Sequence, residues 1–274
     1  MKARAKKLAI LRPRRRLSLI VVPIIVAVLI VAGVLLYFLT PLPKLLFPGK
    51  KLQVRIGQSR FDYPPLHYYE GETLTGFDVE LARAAAELMG AEIEFVPIDW
   101  SEALEALESG DVDILWGGLE RASLDERVVK FTSPYLRSNI VLLMPEDRDY
   151  AAFEDLQNLS ICALNFTPAF NYVQVYNRDI IKSRRSFTPP EYQALMNSLS
   201  SGEFDCMVTD TSFASFFLSE NGDGAYKMSD TVISSNYAAG VRIGDTDLFE
   251  LLQNALDELT VNGTVDRLRE KWLG

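Results

Sequence analysis

The chain is poor in the residues that most reactions need. It holds one histidine, His67, and two cysteines in 274 residues, which leaves little room for a zinc site or a Ser–His relay. No metal and no cofactor is expected. Two cysteines are also too few for a disulfide-stapled scaffold. Cys162 and Cys206 both sit in apolar strand-like runs, ICAL and CMV. If those strands are neighbours a disulfide is geometrically possible, and buried free thiols are the plainer expectation.

Acidic residues are missing from one end. Residues 1–50 contain no Asp or Glu and 10 of the 28 basic residues, leaving 18 basic against all 37 acidic groups, a net of −19, in the rest. A body so acidic repels nucleic acid, and no nucleic-acid partner is expected. Charge of either sign is missing from Leu17 to Leu39, a run of 23 residues. As a helix of about 35 Å it spans the roughly 30 Å hydrocarbon core of a lipid bilayer. A cleaved signal peptide has an apolar region of only about 7–15 residues and a small-x-small site; no such site occurs before Pro41, and no cysteine there could carry a lipid. The basic flank stays in the cytoplasm. The sequence therefore predicts a basic cytoplasmic tail (1–16), a transmembrane signal anchor (17–39), a Pro-rich linker (40–51) and an extracytoplasmic body on a single-pass membrane protein.

In that body the stretch GFDVELARAAAELMG (76–90) reads as a helix. Phe77, Leu81, Ala84 and Leu88 form one apolar stripe, and Glu80, Arg83 and Glu87 lie off it. Thr75 with Asp78 suggests the N-terminal cap, and Gly90 the stop. Strand-like runs lie on either side, LQVRIGQ (52–58) and AEIEFVPI (91–98), so the unit reads as βαβ with a parallel sheet. A second helix over 100–110, with Ser101 as its cap and Gly110 as its stop, leads to the apolar strand VDILW (112–116). SGDVDIL at 109–115 is echoed 92 residues later by SGEFDCMV at 201–208. An offset that long excludes a solenoid repeat and indicates two lobes on one plan. The lobes span 52–142, 143–236 and a return segment 237–274, which is helical and broken at Asn262–Gly263. Ile140–Met144 and Tyr237–Val241 are the expected crossings. Two crossings make a hinge, and a hinge makes a cleft that can close on a ligand.

GFDVELA, with YPPL upstream and DW downstream, resembles the family 3 bacterial solute-binding proteins, and the resemblance runs on through SGDVDIL, FTSPY, VTD and NGTVDRLREKW to the last residue. It implies an α/β, two-lobed, periplasmic-binding-protein-like fold of type II. It implies capture of a polar amino acid or related amine for a partner, a membrane-embedded permease of a transporter or a signalling protein. It also implies that no catalytic residue is required.

In open α/β sheets ligands sit beyond the carboxyl ends of the strands, which selects the loops after Gln58, Ile98, Trp116, Leu164 and Val208. The resemblance makes Tyr63 and Trp100 the aromatic clamp on a flat ligand group. Gly117 and Gly118 would let backbone approach the ligand, where a plain tight turn is the simpler explanation. Counting from FTSPY, the family's Ser/Thr falls on Glu120 and its carboxylate-gripping arginine on Asp125; Arg127 or Arg121 would have to replace it. Without either, the pocket holds Glu120, Asp125 and Asp210 and favours a cationic ligand. In Asn165–Pro168, Thr167 keeps a family hydroxyl while Phe166 replaces a glycine and Pro168 a second hydroxyl. Asp210 reads as a helix cap from its place at a strand end, and the resemblance makes it the acceptor of the ligand's ammonium. Two other readings compete: a dehydratase acting on cyclohexadienyl acids, with Glu120 or Asp125 as proton donor, and a sensory or scaffold domain that binds nothing. A glutamate-receptor-type channel is excluded, because no membrane segment interrupts the lobes.

Overall fold

The structure, a computed structural model, describes residues 23, 26–31, 51–120, 126–176, 185–187, 191–221 and 224–274. The chain divides into two units, Met1–Lys51 and Leu52–Gly274. Of the expected membrane anchor only Pro23 and residues 26–31 are described, as helix; the rest of 17–39, the tail and most of the linker lie outside the described residues. Among the described residues no helix is long and apolar enough to cross a membrane.

The second unit opens with β1 (Leu52–Ser59), the hairpin β2 (Tyr68–Glu70) and β3 (Thr73–Thr75), helix α1 (Phe77–Met89) and β4 (Ala91–Ile98). β1 and β4 run parallel in register from Leu52↔Ala91 to Ser59↔Ile98, as the βαβ reading requires. Next come α2 (Ala103–Ser109), β5 (Ile114–Leu115), β6 (Val129–Phe131), β7 (Leu136–Arg137) and β8 (Ile140–Pro145). They are followed by β9 (Ser160–Cys162), α3 (Pro168–Tyr176), β10 (Arg185–Phe187), α4 (Tyr192–Ser200), β11 (Cys206–Asp210) and α5 (Thr211–Asn221). The chain ends with β12 (Tyr226–Met228), β13 (Asn236–Tyr237), β14 (Gly240–Arg242), α6 (Thr246–Val261) and α7 (Thr264–Leu273). One sheet has the order β4-β1-β5-β14-β6 and the other β10-β9-β11-β8-β12. β7 and β13 pair antiparallel where the chain passes from the first sheet to the second and returns. The outward crossing thus precedes Ile140, and Ile140–Met144 lie wholly within the second sheet, buried on both faces.

Helix α1 is set differently from its periodicity. Its buried face is Phe77, Asp78, Val79, Leu81, Ala82, Ala85 and Ala86, whereas Leu88 is exposed. Packing against α6 and α7 as well as the sheet turns the helix away from the simple stripe. Gly90 ends it in the left-handed conformation, as expected, but Thr75 does not cap it. The first N–H groups donate instead to a neighbouring loop, Phe77 N to Pro65 O and Asp78 N to Leu66 O, both at 2.9 Å. Gly76, at φ 121°, is what permits this. A Cβ there would lie 2.3 Å from the Leu66 carbonyl oxygen. Ser101 is likewise not the cap of its helix; Asp99 accepts the Ser101 N–H at 3.1 Å and opens a 3₁₀ turn that runs into α2.

The repeated Ser-Gly motif has one physical job in both lobes. Asp113 N donates to Arg55 O at 2.8 Å, and its carboxylate accepts Arg55 N at 2.8 Å. Asp205 N donates to Ser160 O at 2.8 Å, and its carboxylate accepts Ser160 N at 2.9 Å. Each aspartate therefore pins its strand to the neighbouring one in a fixed register. Asp113 adds a two-pronged bond to the Arg55 guanidinium, 3.1 and 2.8 Å. The two cysteines lie on the adjacent strands β9 and β11 and remain free and buried.

Removing either pin leaves a strand N–H without its acceptor. Asp113→Ala and Asp205→Ala should each cost about 1–3 kcal/mol, several degrees in melting temperature. Asp149→Ala, which removes only an exposed 3.4 Å bridge to Lys227, should change stability by less than about 0.5 kcal/mol. Thermal denaturation of the three variants checks the contrast.

Candidate functional site

Loops beyond the strand ends of the two sheets face each other across a narrow cavity. The first sheet contributes Ser59, Phe61, Asp62, Tyr63, His67, Trp100 and Gly117, and the second contributes Leu164, Asn165, Phe166 and Thr167. The free space is about 10 Å³, enough for a single water. No Lys or Arg is among these described lining residues.

The YPPLH loop is held shut by its own backbone, Tyr63 N donating to His67 O at 2.7 Å and His67 N to Tyr63 O at 3.1 Å. That closure, docked on the N-terminus of α1, buries Tyr63 and aims its hydroxyl at the second lobe, beside the cavity. There it donates to Asp210 Oδ2, with the Tyr237 hydroxyl 3.4 Å away. The other oxygen of Asp210 accepts Ser212 N at 2.9 Å, Phe213 N at 3.2 Å and the Ser138 hydroxyl at 2.6 Å. Asp210 is thus both the cap of α5 and the point where the two lobes join. Burial, with the Asp210 charge beside it, keeps the Tyr63 phenol well above its usual pKa, so it stays a donor.

Gly118 adopts φ +63°, and its N–H donates to Asp78 Oδ2 at 2.8 Å. A Cβ at Gly118 would come within 2.9 Å of the Tyr63 ring. Trp100 lines the cavity from the 3₁₀ turn. Thr167 lines it too, but its hydroxyl is engaged, donating to Leu164 O at 2.7 Å and accepting Phe170 N at 3.3 Å as the cap of α3. Glu120 is buried yet does not line the cavity. Its Oε1 accepts the Tyr172 hydroxyl at 3.1 Å and the Ser235 hydroxyl at 2.7 Å, tying the loop after β5 to the second lobe and to the returning chain. Arg127 lies in an exposed turn and does not line the cavity; Arg121 and Asp125 lie outside the described residues.

Three features escaped the sequence. Phe166 takes a left-handed φ of 63°, a conformation that costs a non-glycine residue about 1–2 kcal/mol. Its ring stacks on Phe61 of the other lobe, with centroids 6.1 Å apart and planes 4° from parallel. The only signal was the phenylalanine standing at a family glycine. Gln58 and His67 are buried, and among the described residues none of their side-chain polar atoms makes a well-formed hydrogen bond. Asp78, read from the sequence only as part of an N-terminal cap with Thr75, is fully buried beneath Gly118 and accepts its N–H.

Comparison with known proteins agrees with this architecture. The family described as bacterial extracellular solute-binding proteins, family 3, matches residues 54–274. The arginine-binding extracellular protein ArtP of Bacillus subtilis (strain 168) is 27% identical over 235 residues, 82% of this chain and 87% of that protein. The solved structure of an ancestral arginine-binding protein bound to arginine superposes with a TM-score of 0.72 at 26% identity, covering 82% of this chain and 100% of the other. The ancestral amino acid-binding protein AncCDT-1, described as a precursor of cyclohexadienyl dehydratase, has a TM-score of 0.70 at 27% identity, covering 81% and 95%.

Two buried groups beside the cavity titrate in opposite senses. Burial pushes the Asp78 carboxyl up to about 7, partly offset by the Gly118 N–H, and burial pushes the His67 imidazole down to about 4. Between about pH 4 and 7 folded Asp78 keeps a proton that the unfolded chain has lost, so its contribution falls as pH rises. Between about pH 4 and 6.5 the unfolded chain binds a proton that folded His67 refuses, so that contribution rises with pH. The two oppose each other. In Asp78→Asn the first is gone, and the variant should gain on the parent progressively from pH 4 to 7, by up to ~3 kcal/mol. Urea midpoints at pH 4.5, 6 and 7.5 check the sign, and a difference that does not grow with pH would contradict it.

Proposed function

This chain belongs to the bacterial extracellular solute-binding proteins, family 3, and we propose that it captures an amino acid or related small amine between its lobes, with Asp210 accepting the ligand's ammonium. The observation that carries the reading is the buried Asp210 carboxylate, held by α5 and Ser138 so that one oxygen faces the opposite lobe. In the closed state a phenol donates to that oxygen. An ammonium in its place would keep a hydrogen bond to the carboxylate and bring a positive charge beside it. Tyr63 and Trp100 supply aromatic surface, Gly117 and Gly118 make room for His67 and Tyr63 beneath the loop, and Thr167 fixes the facing helix. The absence of Lys and Arg from the described cavity lining, with Arg127 standing apart on its turn, favours a ligand read through its amine. β7 and β13 serve as the hinge. The relatives named for binding arginine support an amino-acid ligand. No catalytic step is assigned to any residue.

The body would be carried outside the membrane by the anchor at 17–39 and present its closed form to a permease or a signalling protein. A second reading, a sensing or scaffold domain for a membrane partner, is favoured by one observation: Tyr63 already satisfies Asp210 and leaves no vacancy.

A thermal-shift screen of the full-length chain in detergent, against amino acids and polyamines, separates the two readings. A binder at 100 times its Kd should stabilise the fold by about 2.7 kcal/mol. Asp210→Asn should weaken that binder about 10- to 100-fold. Tyr63→Phe removes the competing hydroxyl and should tighten it several-fold. No shift from any compound would overturn capture and leave the scaffold reading.

A further inference from the structure

Behind the cavity wall lies a second chamber of about 20 Å³, where Gln58, Arg60 and Tyr69 meet the apolar side chains of Leu74, Phe95, Val96 and Pro97, and which shares Ser59, Asp62 and His67 with the cavity in front. His67 therefore stands in the partition between them. Gln58 and His67 are 3% and 2% exposed, and among the described residues none of their four side-chain nitrogen and oxygen atoms makes a well-formed hydrogen bond, the nearest approach to one being the Phe61 backbone beside the imidazole. Native proteins leave few such groups, because each gives up its hydration for nothing. The imidazole lies directly beneath the backbone of Gly117, where a Cβ would come within 3.2 Å of Cε1 and Nδ1. Tyr63 connects this pair to Asp210: its hydroxyl meets the carboxylate, and its ring meets the imidazole edge-on with centroids 6.2 Å apart. A ligand lying along Tyr63 with its ammonium on Asp210 brings its far end over Gly117 and His67.

We propose that Gln58 and His67 read the far end of the ligand and select an uncharged group that both donates and accepts hydrogen bonds, such as a carboxamide. This rests on the capture reading above. A neutral imidazole offers one donor and one acceptor, and the glutamine amide offers both kinds. At the chamber's edge Arg60 and Asp62 add one charge of each sign, so the wall has no net charge to match a charged group. A guanidinium brings donors only and leaves the donors of Gln58 and His67 unpaired. An alkyl end leaves all four atoms unpaired. Sites built to hydrogen-bond a ligand group discriminate strongly against analogues that lack it.

Calorimetric titration of the full-length chain in detergent with L-glutamine, L-norleucine and L-arginine holds the α-amine constant and varies the far end. Glutamine should bind at least about tenfold tighter than the other two. In Gln58→Leu and His67→Phe that advantage should collapse to parity with norleucine, and His67→Asn should restore part of it. Equal affinities in the parent chain, a preference for arginine, or an advantage that survives both substitutions would overturn this inference and leave capture standing. If none of the three nor any other amine binds, both fall. Should a variant fail to fold, the ranking in the parent chain alone decides.

Discussion

At Gly76 there is no room for a side chain, and the near half of the cleft depends on that. The carbonyls of Pro65 and Leu66 approach so closely that they take the first N–H groups of α1. A helix must satisfy those orphan donors somewhere, and here it does so with a neighbouring loop rather than a capping side chain. The consequence is positional. The loop is docked on a rigid helix, so Tyr63 and His67, bonded to each other through their backbones, are carried on a fixed base. Two residues on, Asp78 reaches from the same turn to the N–H of Gly118, which sets the second loop of the cleft. One turn of helix therefore positions two of the loops that line the site.

Asp210 does the corresponding work in the other lobe, by a different route. It caps α5 through two backbone N–H groups and takes a hydroxyl from Ser138, next to the crossing strand β7. A cap and a ligand acceptor are often set against each other as explanations. Here the geometry is compatible with both, because the capping bonds occupy one oxygen and leave the other to the Tyr63 hydroxyl of the facing lobe. Helix N-termini stabilise negative charge, so the same placement that satisfies the helix keeps a carboxylate in a buried position.

The two-lobe plan was legible because its signals are local. The Ser-Gly-x-x-Asp echo reports a bond between adjacent strands that each lobe must make for itself, and Asp113 and Asp205 make it in the same way. Gly90 and Gly110 were legible as stops because a left-handed residue leaves few alternatives. The misreadings involve partners distant in sequence. Thr75 and Ser101 have the chemistry of caps, but Pro65, Leu66 and Asp99 reached those N–H groups instead. Leu88 fits the stripe of α1, but α6 and α7 set which face is covered. Glu120 was read into the pocket by counting from FTSPY onto the family's Ser/Thr position, whereas hydroxyls at Tyr172 and Ser235 draw it to the lobe junction. Nothing in the local sequence announces that Phe61 will meet Phe166.

Those lobe-to-lobe contacts bear on what a ligand must accomplish. Tyr63 with Asp210, Phe61 on Phe166 and Tyr172 with Glu120 hold the cleft closed around about 10 Å³ of free space. A ligand shifts such an equilibrium only by the difference between what it gains and what it displaces. Replacing a phenol on Asp210 by an ammonium exchanges one hydrogen bond to a carboxylate for another, so the gain there is modest. Parting Phe61 from Phe166 would also forgo an aromatic contact worth about 0.5–1.5 kcal/mol. Affinity must then come from groups that the closed state leaves unsatisfied. Gln58, in the chamber behind the cavity, and His67, in the wall between them, are two such groups, and the proposed recognition of the ligand's far end draws affinity from them.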